Sequence, residues 1–246
     1  MFRSYFKWLI LLVLPTWVFV SFSLSQLLMT DIFWLLSALN APLVGLNPVI
    51  LNTSLAALLY TVTLIIVVSV PWLVKKYRTS WADIGFTRLM SWADILITPV
   101  GLIMYLILSS ILILLMTTLF PWIDVNQVQD TGFSNLGQRY EYILAFLTLV
   151  VIAPVAEEAI FRGYLYGKLK KFVPIWVAIL ATSLLFGFIH GAWNLAIDTF
   201  ALSIILCILR ESTGSIWSSI LLHMAKNSIA FYVLFINPLL LAIIVG

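Results

Sequence analysis

The sequence predicts an all-α fold: a polytopic transmembrane helical bundle of seven to eight spans with its N-terminus in the cytoplasm. Three observations lead there. Hydrophobic residues make up 63% of the 246-residue chain and charged residues only 9%, against about 25% charged in an ordinary soluble domain. Mean hydropathy is +1.13. A water-soluble fold could not cover so much apolar surface, so the bilayer is the solvent for most of it. The apolar residues also fall into runs of about 20, the length a helix needs to cross the hydrocarbon core.

The first span is read from Trp8 to Met29. Arg3 and Lys7 precede it as they would precede a signal sequence, but the run is long and no small-residue cleavage site follows, so it is expected to be retained. Asp31 to Val49 holds Asn40, Pro42, Gly45, Asn47 and Pro48 and reads as an outside loop that can dip into the membrane. The second span runs from Leu55 to Val74 and ends in Lys75, Lys76 and Arg78. Thr79 to Asp94, with Trp81, Ile84, Phe86, Leu89 and Trp92, reads as an interfacial helix or loop. The third span is Ile95 to Phe120, followed by a polar outer loop from Pro121 to Gln138. The remaining spans are Tyr142 to Tyr166, Val173 to His190, Leu195 to Leu209 and Ile216 to Phe235. Pro238 begins a stub of nine residues, about 14 Å as a helix at 1.5 Å each. It either half-inserts or marks a different division of the spans.

Orientation follows from the basic residues. With the N-terminus inside, Arg3, Lys7, Lys75, Lys76, Arg78, Arg88, Arg162, Lys168, Lys170, Lys171 and Arg210 are cytoplasmic, 11 of the 13 Lys plus Arg. Arg139 falls outside and Lys226 within a span. The net charge of +3 therefore reflects membrane topology, and no basic patch with interleaved aromatics points to nucleic acid. Cys207 is the one cysteine, so there is no intrachain disulfide and no Cys/His zinc spacing. A multi-pass protein of the cell membrane is expected, with the lipid bilayer as its first partner.

Polar groups within spans are costly and usually functional, and here they collect in the C-terminal half. Glu157, Glu158 and Arg162 follow Pro154, which can kink the fourth span. Glu158 and Arg162 are i, i+4 and share a helix face, whereas Glu157 points about 100° away. Two adjacent carboxylates in low dielectric do not both ionise easily, and an arginine that neutralises one leaves the other tuned for general-base work. The plainer alternative is an ion pair at the membrane edge. The two histidines, His190 and His223, lie in or beside late spans, and Asn227 follows His223 at i+4. A carboxylate and an imidazole can hold and deprotonate a water, while a second imidazole and a carboxamide can donate to a developing oxyanion. Asp198, Asn194 and Lys226 are further polar candidates: Asp198 to bond a neighbour or line a cavity, Lys226 to pair with an acid or snorkel.

Three motifs in order, Glu157-Glu158-x-x-x-Arg162, Phe186-x-x-x-His190 and His223-x-x-x-Asn227, resemble those of the CPBP family, the CAAX prenyl proteases and bacteriocin-processing (Abi) proteins. The flanks Ala159-Ile160-Phe161-Arg162-Gly163-Tyr164-Leu165-Tyr166 and Thr213-Gly214-Ser215-Ile216-Trp217 fit as well. The resemblance implies a metal-free, cofactor-free glutamic intramembrane endopeptidase. Glu157 would be the general base, His190 would help to hold the water, and His223 with Asn227 would form the oxyanion hole. Glu158 and Arg162 would orient the site, with Glu158 able to share the acid–base role. It also divides the chain into residues 1–141, N-terminal helices and connector, and residues 142–246, a CPBP-like catalytic core, within one integral membrane domain. The substrate would be a peptide or a membrane protein.

Two other classes stay open. A zinc metallopeptidase could use Glu157, His190 and His223 as ligands, although no H-E-x-x-H pair is present. A non-catalytic regulator or bacteriocin-immunity protein would instead bind a partner membrane protein. A transporter would require inverted repeats, and none is found.

Overall fold

The computed structural model of the protein describes residues 2–38, 47–75, 79–123, 133 and 136–239, the side chains of residues 2–7, 74 and 75 excepted. Among the described residues the regular structure is helical: α1 Phe2–Ala38, α2 Pro48–Lys75, α3 Trp92–Leu119, α4 Arg139–Leu169, α5 Ile175–Phe188, α6 Trp193–Thr213 and α7 Trp217–Ile236. Five of them, α1, α2, α3, α4 and α7, are long and apolar enough to cross a membrane. The all-helical, membrane-type fold class is therefore as the composition predicts. Of the stub from Pro238, residues 240–246 lie outside the described residues.

The loop expected from Asp31 to Val49 is shorter than its composition suggests. Helix α1 continues to Ala38, because Asp31 to Ala38 contains neither Gly nor Pro to stop it. Helix α2 starts at Pro48, seven residues ahead of the expected Leu55. Asn47 caps it: its Oδ1 accepts the Val49 N–H at 2.8 Å and its carbonyl accepts Leu51 N–H at 3.1 Å. Proline at the first helical position loses no bond, since that N–H would be unsatisfied anyway.

The chain forms two compact units, each drawn from three separate stretches. The first comprises Met1–Phe19, Thr79–Gln129 and Glu158–Lys226. At its centre α6 packs against α3 and α5. Tyr105, Ala201, Leu202, Ile205, Leu206, Leu209 and Leu222 form a buried apolar core there. Glycines permit the close approaches: a Cβ on Gly187 would lie 2.7 Å from the Ala196 carbonyl oxygen.

The same device seats the connector before α3. Ile84 presses its carbonyl oxygen onto α4 at Gly163, where a Cβ would be 2.2 Å away, and the Asp83 carbonyl lies over Gly167, 3.1 Å from such an atom. Gly163 and Gly167 are i, i+4, so they open one face of α4 to a passing backbone. One turn further, Lys171 reaches Asp83 at 3.1 Å. Asp83 also accepts from the Ser80 N–H at 3.0 Å and the Ser80 hydroxyl at 2.8 Å. Gly85, at φ +93°, turns the chain and accepts Ile216 N–H at 3.2 Å. The connector leaves Trp81 and Leu89 exposed, at 74% and 86%, as an interfacial segment would. Arg88 then forks onto Asp94 in the first turn of α3, where Ser91 and Asp94 form a capping box.

The second unit comprises Val20–Arg78, Asp130–Glu157 and Asn227–Gly246. Within it α2 packs on the first part of α4. Their starts are tied together. Glu141, three residues into α4, accepts Gly137 and Gln138 N–H at 2.7 and 2.9 Å and takes the Asn47 amide at 2.5 Å. Phe146 and Phe231 meet edge to face at 5.4 Å, and Phe22 meets Tyr60 at 6.1 Å.

Gly163→Ala is expected to displace the connector and lower stability by about 1–3 kcal/mol, the usual cost of overpacking, read as a lower thermal midpoint in detergent. The Asp83 carboxyl is held down at about 2 by the Ser80 N–H first, then the Ser80 hydroxyl and Lys171, against partial burial. Its folded value lies below the ordinary 3.8, so its contribution is present above about pH 4 and is lost as pH falls towards 2. The thermal midpoints of wild type and Asp83→Asn should differ at pH 5 and converge across that window.

Candidate active site

The border between the two units falls between Glu157 and Glu158 and again between Lys226 and Asn227. The motif residues are therefore shared out, with Glu158, Arg162, His190 and His223 in the first unit and Glu157 and Asn227 in the second.

In the first unit the fourth and seventh helices meet through one carboxylate oxygen. Glu158 Oε1 accepts from Arg162 Nη1 at 2.8 Å and from His223 Nδ1 at 2.8 Å. Both members of the Glu158–Arg162 pair have fully buried side chains, at 0% exposure. Breaking a buried pair by removing one partner is strongly destabilising, because a desolvated charge is left behind. Phe186 of α5 completes the cluster. The Arg162 guanidinium lies 4.2 Å from its ring centre, within cation–π reach. His190 and His223 both meet the same ring edge-on, at 4.9 and 5.9 Å.

These contacts define what each imidazole presents. His190 lies in the tight turn between α5 and α6, before Gly191 at φ +76°. Its Nδ1 is 2.7 Å from the Phe186 carbonyl oxygen. A carbonyl can only accept, so Nδ1 carries the hydrogen, and Nε2 of the neutral ring is an acceptor. His223 likewise gives Nδ1–H to Glu158, and its other ring nitrogen is Nε2. It donates from there as imidazolium and accepts as neutral imidazole.

In the second unit, Glu157 is buried at 8% exposure. Its Oε1 accepts the phenol O–H of Tyr60, on α2, at 2.5 Å. Sequence reasoning missed Tyr60; the one available signal was a tyrosine in mid-span, whose hydroxyl must find a partner when buried.

Asn227 is tied to the backbone of α4. That helix is not uniform: Leu147–Ile152 and Ala159–Leu165 are π-helical stretches either side of an α-helical Ala153–Glu158. Such stretches are frequent at functional sites. In the first of them the Ala153 N–H bonds the Thr148 carbonyl. The next nitrogen in that register, due at the Leu149 carbonyl, belongs to Pro154, which has no hydrogen. Asn227 Nδ2 supplies the bond instead, donating to the Leu149 oxygen at 2.8 Å. A second amide hydrogen remains on that nitrogen for other use.

The lesser candidates also find places in the first unit. Asp198 takes Tyr105 O–H at 2.6 Å, Ser109 O–H at 2.8 Å and the Lys226 ammonium at 3.2 Å. Lys226 thus pairs with an acid, and Asp198 bonds neighbours on α3 and α7. Asn194 Oδ1 accepts the Leu195 N–H at 2.9 Å. Among the described residues no three His, Cys, Asp or Glu side chains are grouped to hold a metal ion.

Residues 139–229 match the model of the family described as type II CAAX prenyl endopeptidase Rce1-like. This span contains all three motifs, and the resemblance read from them is borne out at the level of that family of CAAX-type intramembrane proteases. An uncharacterized 24.3 kDa protein of Escherichia coli is 29% identical over 94 residues, covering 36% of this chain and 43% of its own. The UPF0177 protein YxdF of Lactococcus lactis subsp. lactis (strain IL1403) is 29% identical over 102 residues, covering 40% of this chain and 54% of its own. The chain thus spans about half the length of the curated relatives it matches. No solved structure matches.

Asn227→Ala should leave the part-buried Leu149 carbonyl without this donor and cost about 0.5–1.5 kcal/mol, the usual net worth of one hydrogen bond. Pro154→Ala restores a backbone N–H there, so the same Asn227 substitution should cost measurably less in that background. Equal losses in both backgrounds, by thermal or denaturant unfolding, would contradict the assignment.

Proposed function

We propose that this chain, whose residues 139–229 are Rce1-like, is an intramembrane glutamic endopeptidase that hydrolyses a peptide bond of a membrane-associated or peptide substrate. The observation that carries the reading is the fully buried Glu158 carboxylate holding Arg162 and the His223 imidazole together. An apolar interior tolerates such an arrangement where it serves a function, and it sets which His223 nitrogen faces Glu158.

In this reading Glu157 is the general base. Glu158 is held by a guanidinium and an imidazole, which suits it to orientation; the motif resemblance gives the base role to Glu157, which accepts the Tyr60 phenol. Glu157 accepts a proton from the attacking water. His190, with Nδ1–H on the Phe186 carbonyl, helps to hold that water through Nε2. His223, as imidazolium, donates from Nε2 to the oxyanion of the tetrahedral intermediate, and Asn227 donates through its second amide hydrogen. The proton then passes to the leaving amine, and the C–N bond breaks without a covalent enzyme intermediate. Each of these roles is carried by the motif match and by the residue's own hydrogen bonds. No step requires a metal ion.

The test is proteolysis of a labelled peptide panel by purified protein. Glu157→Gln should lower kcat/KM by about 10²- to 10⁴-fold, the usual contribution of a general base, with little change in thermal midpoint. Glu158→Gln should instead destabilise the fold, because it uncovers Arg162. A chelator should leave the rate unchanged. Loss of activity that zinc restores would favour the metallopeptidase, and full biological activity of Glu157→Gln would favour a non-catalytic partner-binding role.

A further inference from the structure

We infer that Tyr60 is a positioning residue for the Glu157 carboxylate, supplied by a helix outside the Rce1-like segment. The inference rests on Glu157 being the general base, as proposed above. Tyr60 lies on α2, 97 residues from Glu157 in sequence, and its O–H donates to Glu157 Oε1 at 2.5 Å. The matched segment begins at residue 139, so nothing in the three motifs contains this contact.

Two features separate Tyr60 from an ordinary buried tyrosine. The first is the behaviour of its neighbours. Along the same helix the hydroxyls of Ser54, Thr61 and Thr63 turn back onto the carbonyls of Ile50, Ala57 and Leu59, at 2.9, 2.7 and 2.8 Å. That is the usual solution for a hydroxyl in an apolar helix. A tyrosine is too long to reach its own backbone, and here it spans from α2 to α4 instead. The second is the ring, which is seated edge-on against Phe22 at 6.1 Å. The hydroxyl is thereby held at the end of a rigid side chain with two torsions and not a flexible one.

A carboxylate at the end of a Glu side chain has three torsions to fix before it can take a proton along a defined line. A short bond at Oε1 restrains the position of that oxygen. Geometry of this kind is worth orders of magnitude when a proton must leave a water in the right direction. The bond is also charge-assisted, the stronger class of hydrogen bond. Tyr60 neither touches substrate nor exchanges a proton in this scheme; it acts through Glu157.

The experiment uses the full-length protein in detergent or bilayer, with Tyr60→Phe, Glu157→Gln and wild type compared on one cleavable peptide. Tyr60→Phe keeps the ring and its contact with Phe22. It should lower kcat by roughly ten- to a hundredfold, as expected for one lost bond to a charged group, with KM within about twofold. Infrared spectra supply a readout that packing alone would not move: the carboxylate band lost in Glu157→Gln should shift in Tyr60→Phe. Should Tyr60→Phe fail to fold, 3-fluorotyrosine at position 60 retains the ring with a stronger donor and should shift that band the opposite way. Wild-type kcat and an unshifted band in Tyr60→Phe, with Glu157→Gln inactive, would overturn the role of Tyr60 alone. An active Glu157→Gln would overturn the general-base reading itself.

Discussion

A single carboxylate oxygen organises the first unit. Glu158 Oε1 receives a guanidinium from its own helix and an imidazole from α7, at full burial. At this degree of burial each of the three groups would be strongly disfavoured without the other two. The guanidinium lies over Phe186, and both histidine rings abut that same phenylalanine. Helices α4, α5 and α7 are thus held by polar bonds and by one shared aromatic surface, while α3 and α6 contribute an apolar core and the bonds from Tyr105 and Ser109 to Asp198.

The fold class and much of this cluster were legible in the sequence for a simple reason. Charges are rare in the spans, and spacing names one pair, Glu158 with Arg162 at i, i+4. It leaves Lys226 to pair with an unnamed acid or to snorkel, and the acid Lys226 meets is Asp198. What spacing could not supply was any bond made through a residue of ordinary appearance. Tyr60 looks like one more aromatic in an apolar run, and Leu149 like one more leucine. Each becomes informative only when its partner is known. The loop after the first span was overdrawn for a related reason: Asn47 and Pro48 are loop-like by composition but act here as the cap and first residue of α2.

The connector from Thr79 to Ser91 shows how much of the structure is built from backbone and not from side chains. Glycines on α4 leave room for the carbonyls of Asp83 and Ile84 at close range. The connector returns the favour to α7, giving the Gly85 carbonyl to Ile216 and the Arg88 carbonyl to the Trp217 indole at 2.9 Å. A segment with little regular structure therefore touches both helices that carry the Glu158 network. The family resemblance, confined to residues 139–229, does not include it.

The bond from Asn227 to the Leu149 carbonyl limits how α7 can move. If the helix slid along its axis by even part of a turn, that carbonyl would lose its donor, at a cost of about 1 kcal/mol for one hydrogen bond. Rotation about the contact leaves the bond intact. Of the two motions, pivoting at this point, as a door turns on a pin, keeps the bond, and sliding of the piston type breaks it.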